Sequence, residues 1–89
     1  MLQIKVTICN KLGLHARAAI KLVNLASRFA AESLLTRNDK TVNCKSIMGV
    51  MMLAAGKGSR ITVETNGEDE QACSTAIAAL IAERFGEGE

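Results

Sequence analysis

The chain has one histidine, His15, and the residues around it limit the chemistry it can do. It stands where a glycine-containing loop, Asn10 to Leu14, gives way to a helical periodicity beginning at Ala16. The first turn of a helix carries N–H groups without intrahelical partners, and with the helix dipole they attract anions. Arg17, two residues on, adds a permanent cation whose planar fork of donors suits phosphate oxygens. The same positive surroundings disfavour an imidazolium and suit a nucleophilic ring. A phosphoryl group bonded to His15 would be an anion placed where donors already wait. The plainer reading is a surface histidine at a helix start, and the residues alone leave both open.

A second unusual segment is Lys45-Ser46-Ile47-Met48-Gly49-Val50-Met51-Met52-Leu53. Ser46 is a good N-cap for a short apolar helix over residues 47–54, and equally a hydroxyl open to regulatory phosphorylation. On that helix Ile47, Val50, Met51 and Ala54 share one face, leaving Met48 and Met52 on another. A short surface helix cannot bury both faces, so part of the run should stay exposed as an adaptable contact surface. The alternative is that all of it packs inward.

Other chemistries find little support. One imidazole excludes two-histidine relays within a chain. Cys9, Cys44 and Cys73 are odd in number with no CxxC pair, so they read as reduced thiols rather than a metal site or disulfide framework. Gly56-Lys57-Gly58-Ser59 lacks the rest of a nucleotide-binding P-loop. Glu68, Asp69 and Glu70 read as a helix start rather than an acid–base pair. Net charge is +2 from eleven basic and nine acidic residues, so there is no general field for polyanions. Two Phe, with no Trp or Tyr, leave no ladder on which bases could stack, which argues against nucleic-acid binding. The longest apolar run, residues 47–56, is half of the ~20 residues that a membrane span needs. With no secretory signal visible at the N-terminus, a cytoplasmic location without membrane insertion is expected.

The elements that must position these residues follow from periodicity. Leu2, Ile4, Val6 and Ile8 alternate with Gln3, Lys5 and Thr7, the pattern of a half-buried strand. A helix follows from Ala16, with Ala16, Ala19, Ile20, Val23, Ala26 and Ala30 on its apolar face, widened by Leu22 and Phe29. Arg17, Lys21, Asn24 and Arg28 line its opposite side. Residues 33–37 and 40–44 flank Asn38-Asp39 and predict a hairpin. Ile61 and Val63 mark a further strand over residues 60–65. A last helix begins near Asp69, buries Cys73, Ala76, Ile77, Leu80 and Ile81, and closes near Arg84 and Gly86. The order β-α-β-β-α-β-α with no linker predicts a single domain over residues 1–89. The expected architecture is an α+β, two-layer, open-faced sandwich, its four-stranded antiparallel sheet covered on one face by helices.

The run Asn10-Lys11-Leu12-Gly13-Leu14-His15-Ala16-Arg17-Ala18-Ala19 resembles the active-centre signature of the HPr family, the histidine-containing phosphocarriers of the bacterial phosphotransferase system. Lys45-Ser46-Ile47-Met48-Gly49-Val50-Met51 resembles the regulatory serine segment of the same family. Two motifs at the expected separation, with matching length and element order, extend the resemblance over essentially the whole chain.

The resemblance implies a carrier rather than an enzyme, a monomer without cofactor or metal. His15 would accept a phosphoryl group through Nδ1 from phosphorylated Enzyme I and pass it to enzyme IIA domains. Arg17 would steady the phosphate, with the backbone N–H groups of Ala16 and Arg17 as further donors. Ile20, Asn24, Ile47, Met48, Met51 and Met52 fall where the family docks partners. Ser46 would be the target of HPr kinase/phosphorylase, and sugar specificity would lie with other proteins. Alternatives are the nitrogen-branch NPr type, and a regulatory binding module acting through Ser46 without phosphotransfer. The signature usually continues His-Ala-Arg-Pro, and here position 18 is Ala18. Proline in a first helical turn removes a donor that has no partner anyway, so alanine should be tolerated.

Overall fold

The computed structural model describes residues 1–88. Alternating side chains make β1 (Leu2–Thr7), whose apolar residues Leu2, Ile4 and Val6 are half-buried while Gln3, Lys5 and Thr7 are exposed. The helix α1 spans Ala16–Ala26, and β2 (Glu32–Arg37) and β3 (Lys40–Asn43) form the hairpin. Its turn is closed by the Arg37–Lys40 pair, and Asn38 takes a φ of +59°, which asparagine tolerates better than most residues. A short α2 (Ile47–Met52), then β4 (Arg60–Asn66), α3 (Glu70–Ala82) and a single 3-10 turn at Arg84–Gly86 complete the chain.

All strand pairs are antiparallel and the sheet order is β1-β4-β2-β3, so the predicted sandwich is the observed one. Leu35 and Val63 pair across the centre on the face covered by α1 and α3, where Leu22, Val23, Ile61, Ile77 and Ile81 complete the core. The other face is open, and there Gln3 Nε2 donates to Glu64 Oε1 at 2.8 Å across β1 and β4. Cys44 and Cys73 are buried among these residues, and burial pushes the Cys44 thiol up to about 12. Both serve as small hydrophobes, while Cys9 is half-buried and donates to the Ile81 carbonyl at 3.3 Å.

Two helices differ from their predicted faces. In α1 the buried stripe is Ala18, Ala19, Leu22, Val23 and Ala26, whereas Ala16 and Ile20 are exposed. A shift of one residue turns a helix by ~100°, and the alanines fit either register. Leu22 decides it by filling the space over the sheet, and Ile20 is left outside. The helix also ends at Ala26, so Ala30 lies beyond it and is exposed. In α2 only Val50 is buried, and the helix stops at Met52 rather than residue 54 because Ala54 turns to a φ of +54°.

Asp69 does begin α3, but its carboxylate serves another segment. It accepts from the backbone N–H groups of Ala30 (2.9 Å) and Ala31 (2.8 Å), anchoring the link between α1 and β2. Within α3, Cys73, Ile77 and Ile81 are buried as predicted and Ala76 and Leu80 only half so, while Ser74 joins the core. Beyond it the chain turns back through positive φ at Arg84, Phe85 and Gly86. The turn drives Phe85 fully into the core, burial worth ~1.5–3 kcal/mol.

Candidate functional site

The loop before α1 is held from three sides. Ile8 and the segment after α2 exchange backbone hydrogen bonds, Ile8 N to Ser59 O at 2.9 Å and Gly58 N to Ile8 O at 2.7 Å. Leu14 N then donates to Ala55 O at 2.9 Å. Gly13, with a φ of +67°, lies so close to that carbonyl that an added Cβ would fall 2.4 Å from it. The side chain of Asn10 is fully buried and donates through Nδ2 to Gly13 O at 2.8 Å. A glycine and an asparagine thus fix the path that delivers His15 to the start of α1.

His15 occupies the N-cap with extended backbone, and Ala19 N donates to its carbonyl at 2.8 Å as the first bond of the helix. Its side chain makes no capping bond, so neither ring nitrogen is engaged by the N–H groups of the first turn. Arg17 and Ala16 are exposed beside it. Lys11, Leu12, His15, Ala16, Arg17, Glu87 and Gly88 line one open depression, which brings together the predicted histidine, arginine and first-turn backbone.

A residue that the sequence reading did not single out completes the site. The Glu87 carboxylate contacts His15 Nε2 directly through Oε2 and accepts from Asn10 Nδ2 through Oε1 at 3.0 Å. The Asn10 amide first, and the His15 ring second, hold the Glu87 carboxyl below the usual carboxylate range. The segment carrying Glu87 is anchored by buried Phe85, whose carbonyl accepts from Lys21 Nζ at 2.6 Å. The only signal in the sequence was Phe85 itself, a large apolar residue in an otherwise polar end segment.

The second motif is built as a cap. Ser46 is half-buried, and its Oγ accepts from Gly49 N at 3.0 Å at the start of α2. Around it the apolar residues face outward, with Met48 70 % and Met52 63 % exposed and Ile47, Met51 and Ile20 about two-fifths exposed. Asn24 is exposed on α1, which packs against α2. Ile20, placed by periodicity in the buried stripe and by resemblance in the docking set, is on the surface. Among the described residues no cluster of three or more His, Cys, Asp or Glu is placed to hold a metal ion. None of their helices is long and apolar enough to cross a membrane.

A family model described as the PTS HPr component phosphorylation site matches residues 2–83. The chain belongs to the HPr family. The phosphocarrier protein HPr of Cupriavidus necator is 61 % identical to it over 89 residues, all of both chains. The phosphocarrier protein NPr of Shewanella violacea is 48 % identical, covering 97 % of this chain and 94 % of its own. Among solved structures, HPr from Thermoanaerobacter tengcongensis superposes with a TM-score of 0.96 at 38 % identity, covering 100 % of each chain. The chain is therefore an HPr-type phosphocarrier of the phosphotransferase system. Such a carrier needs no cavity in which to turn a substrate over, which agrees with a site that is an open depression.

Proposed function

We propose that residues 1–89 act as one carrier domain that accepts a phosphoryl group on Nδ1 of His15 from phosphorylated Enzyme I and delivers it to enzyme IIA domains. The observation that carries this reading is the placement of His15 at the N-cap of α1, with its ring spared from capping. The first-turn N–H groups of Ala16 and Arg17 and the Arg17 guanidinium are the donors for the phosphate oxygens. Ile20, Asn24, Ile47, Met48, Met51 and Met52 form the surface that successive partners cover, and the methionines adapt to different partner shapes. The carrier works as a monomer in the cytoplasm.

Ser46 is the regulatory position, modified by HPr kinase/phosphorylase. A phosphate on its Oγ brings nearly two negative charges beside the exposed Ile47 and Met48. An acidic partner docking there would be repelled with no change of fold.

Incubation with Enzyme I and phosphoenolpyruvate, read by intact mass, should add one acid-labile phosphoryl group that is absent in His15→Ala. An unmodified wild type beside a demonstrably active Enzyme I would overturn the reading. Kinase and ATP should add an acid-stable phosphate that is lost in Ser46→Ala. The likeness to an NPr supports a second reading, service in a nitrogen branch. Faster acceptance from the Enzyme I of that branch than from the sugar-branch enzyme would favour it.

A further inference from the structure

We propose that Glu87 is the positioning residue of His15: its carboxylate holds the proton on Nε2 and so leaves Nδ1 as the bare, nucleophilic nitrogen. The proposal deepens the carrier reading and rests on it.

Three observations converge on this role. First, the two carboxylate oxygens are divided, Oε2 on His15 Nε2 and Oε1 on Asn10 Nδ2. An ionised carboxylate accepts hydrogen bonds and cannot donate them, so the ring nitrogen that touches it must carry the hydrogen. In a neutral imidazole the other nitrogen is then an unprotonated lone pair. Second, the contact is built from both ends. Asn10 is fully buried, and its Nδ2 also donates to Gly13 O in the loop that presents His15. One amide therefore ties the histidine loop and the carboxylate together. Third, the segment bearing Glu87 is fastened to the body by buried Phe85 and by Lys21 Nζ on the Phe85 carbonyl. Glu87 is not a dangling surface acid, since its side chain is only 19 % exposed.

The transfer step balances without a proton leaving the histidine. The Nδ1 lone pair forms the N–P bond as the donor's bond to phosphorus breaks, and that electron pair returns to the donor. Nδ1 has no hydrogen to lose, and the Nε2 hydrogen stays in its bond to Glu87. Positive charge that develops on the ring as Nδ1 bonds to phosphorus is met by the carboxylate on its far side, much as an aspartate steadies a catalytic imidazolium.

The test uses the full chain labelled with 15N-histidine, as wild type, Glu87→Gln and Glu87→Ala, with backbone spectra to check that each is folded. Long-range 1H–15N spectra of the neutral ring report which nitrogen carries the hydrogen. Wild type should show it on Nε2, and a wild-type ring with the hydrogen on Nδ1 overturns the proposal with no variant needed. Glu87→Gln keeps an acceptor oxygen but not the charge, so it should retain that tautomer and fall between wild type and Glu87→Ala in transfer rate. Glu87→Ala should give a mixture of tautomers and about a tenfold lower kcat for acceptance from Enzyme I, with KM unchanged. An unaltered tautomer and kcat in Glu87→Ala would refute the assignment, and a raised kcat would make the segment a cover instead. If wild type takes no phosphoryl group while its tautomer is as stated, the carrier reading fails and the positioning of the ring survives.

Discussion

Replacing Gly13 with alanine strikes the loop that delivers His15 without touching any group proposed to contact phosphate. The added methyl would sit 2.4 Å from Ala55 O and 2.7 Å from Gly56 Cα, where ordinary contact begins at 3.4 Å. Both are backbone atoms, so the strand of contacts must open by roughly 1 Å, and the bond from Leu14 N to Ala55 O at 2.9 Å is the first to break. A left-handed conformation costs an L-residue ~1–2 kcal/mol. Leaving a buried N–H or carbonyl without its partner costs ~1–3 kcal/mol. The stiffer unfolded chain of the alanine variant returns ~0.4–1 kcal/mol. The sum is a destabilisation of ~1–4.6 kcal/mol, and its midpoint of about 3 kcal/mol lowers Tm in a domain of this size by ~12–24 °C. Gly58→Ala is the control, for Gly58 also has a positive φ, +90°, but nothing lies within 4 Å of its would-be Cβ. It should cost only the strain of the backbone less the same return from the unfolded chain, a net ~0–1.6 kcal/mol. Urea unfolding of both variants, beside phosphoryl acceptance at a temperature where both are folded, measures the difference. Gly13→Ala is expected to be the less stable of the two and slower in acceptance. Equal stabilities would refute the close approach to Ala55, and normal acceptance would refute the role of the loop in placing His15.

Phe85→Ala should destabilise by ~3–5 kcal/mol, since the ring is fully buried, and also release the Glu87 contact; urea unfolding and the His15 tautomer read the two effects separately. Ser46→Ala removes the bond to Gly49 N and should cost ~1 kcal/mol of stability. Ser46→Asp can keep the cap while placing charge beside Ile47, so KM for Enzyme I should rise about tenfold, ~1.4 kcal/mol, with kcat unchanged. The Asp69 carboxyl is held below its ordinary range chiefly by the Ala30 N–H and then by that of Ala31. Its contribution to stability is therefore complete above the unfolded carboxylate pKa of ~3.9 and lost as pH falls through the lower folded value. Thermal melts should show Asp69→Asn less stable than wild type at neutral pH, with the gap closing below about pH 3.9.

Strands were legible because alternation has one period and one buried side: Leu2, Ile4 and Val6 could face only the core. The same was true of the hairpin, where Asn38 supplied the turn, and of Ser46, whose cap is a contact three residues long. Helix faces were less secure. In α1 eight of eleven residues are Ala, Ile, Leu or Val, and only the sheet beneath could choose Leu22 over Ile20 as the inward one. In the site, His15, Arg17 and the first-turn backbone were legible because they are local to one helix end. Glu87 was not, because its partner in the ring lies 72 positions away. Nothing in the Gly86-Glu87-Gly88 sequence reveals that Phe85 folds back and carries it there.

The antiparallel partner of β1 is β4, so the first strand to be synthesised waits until residues 60–66 exist before it is paired. The histidine loop likewise waits for Ala55 and Ser59, and the ring itself for Glu87. An emerging polypeptide therefore displays His15 early but lacks the supports that aim it. On the proposed carrier reading, the full rate of phosphoryl acceptance therefore waits for the turn at Arg84–Gly86 that carries Glu87 to the ring.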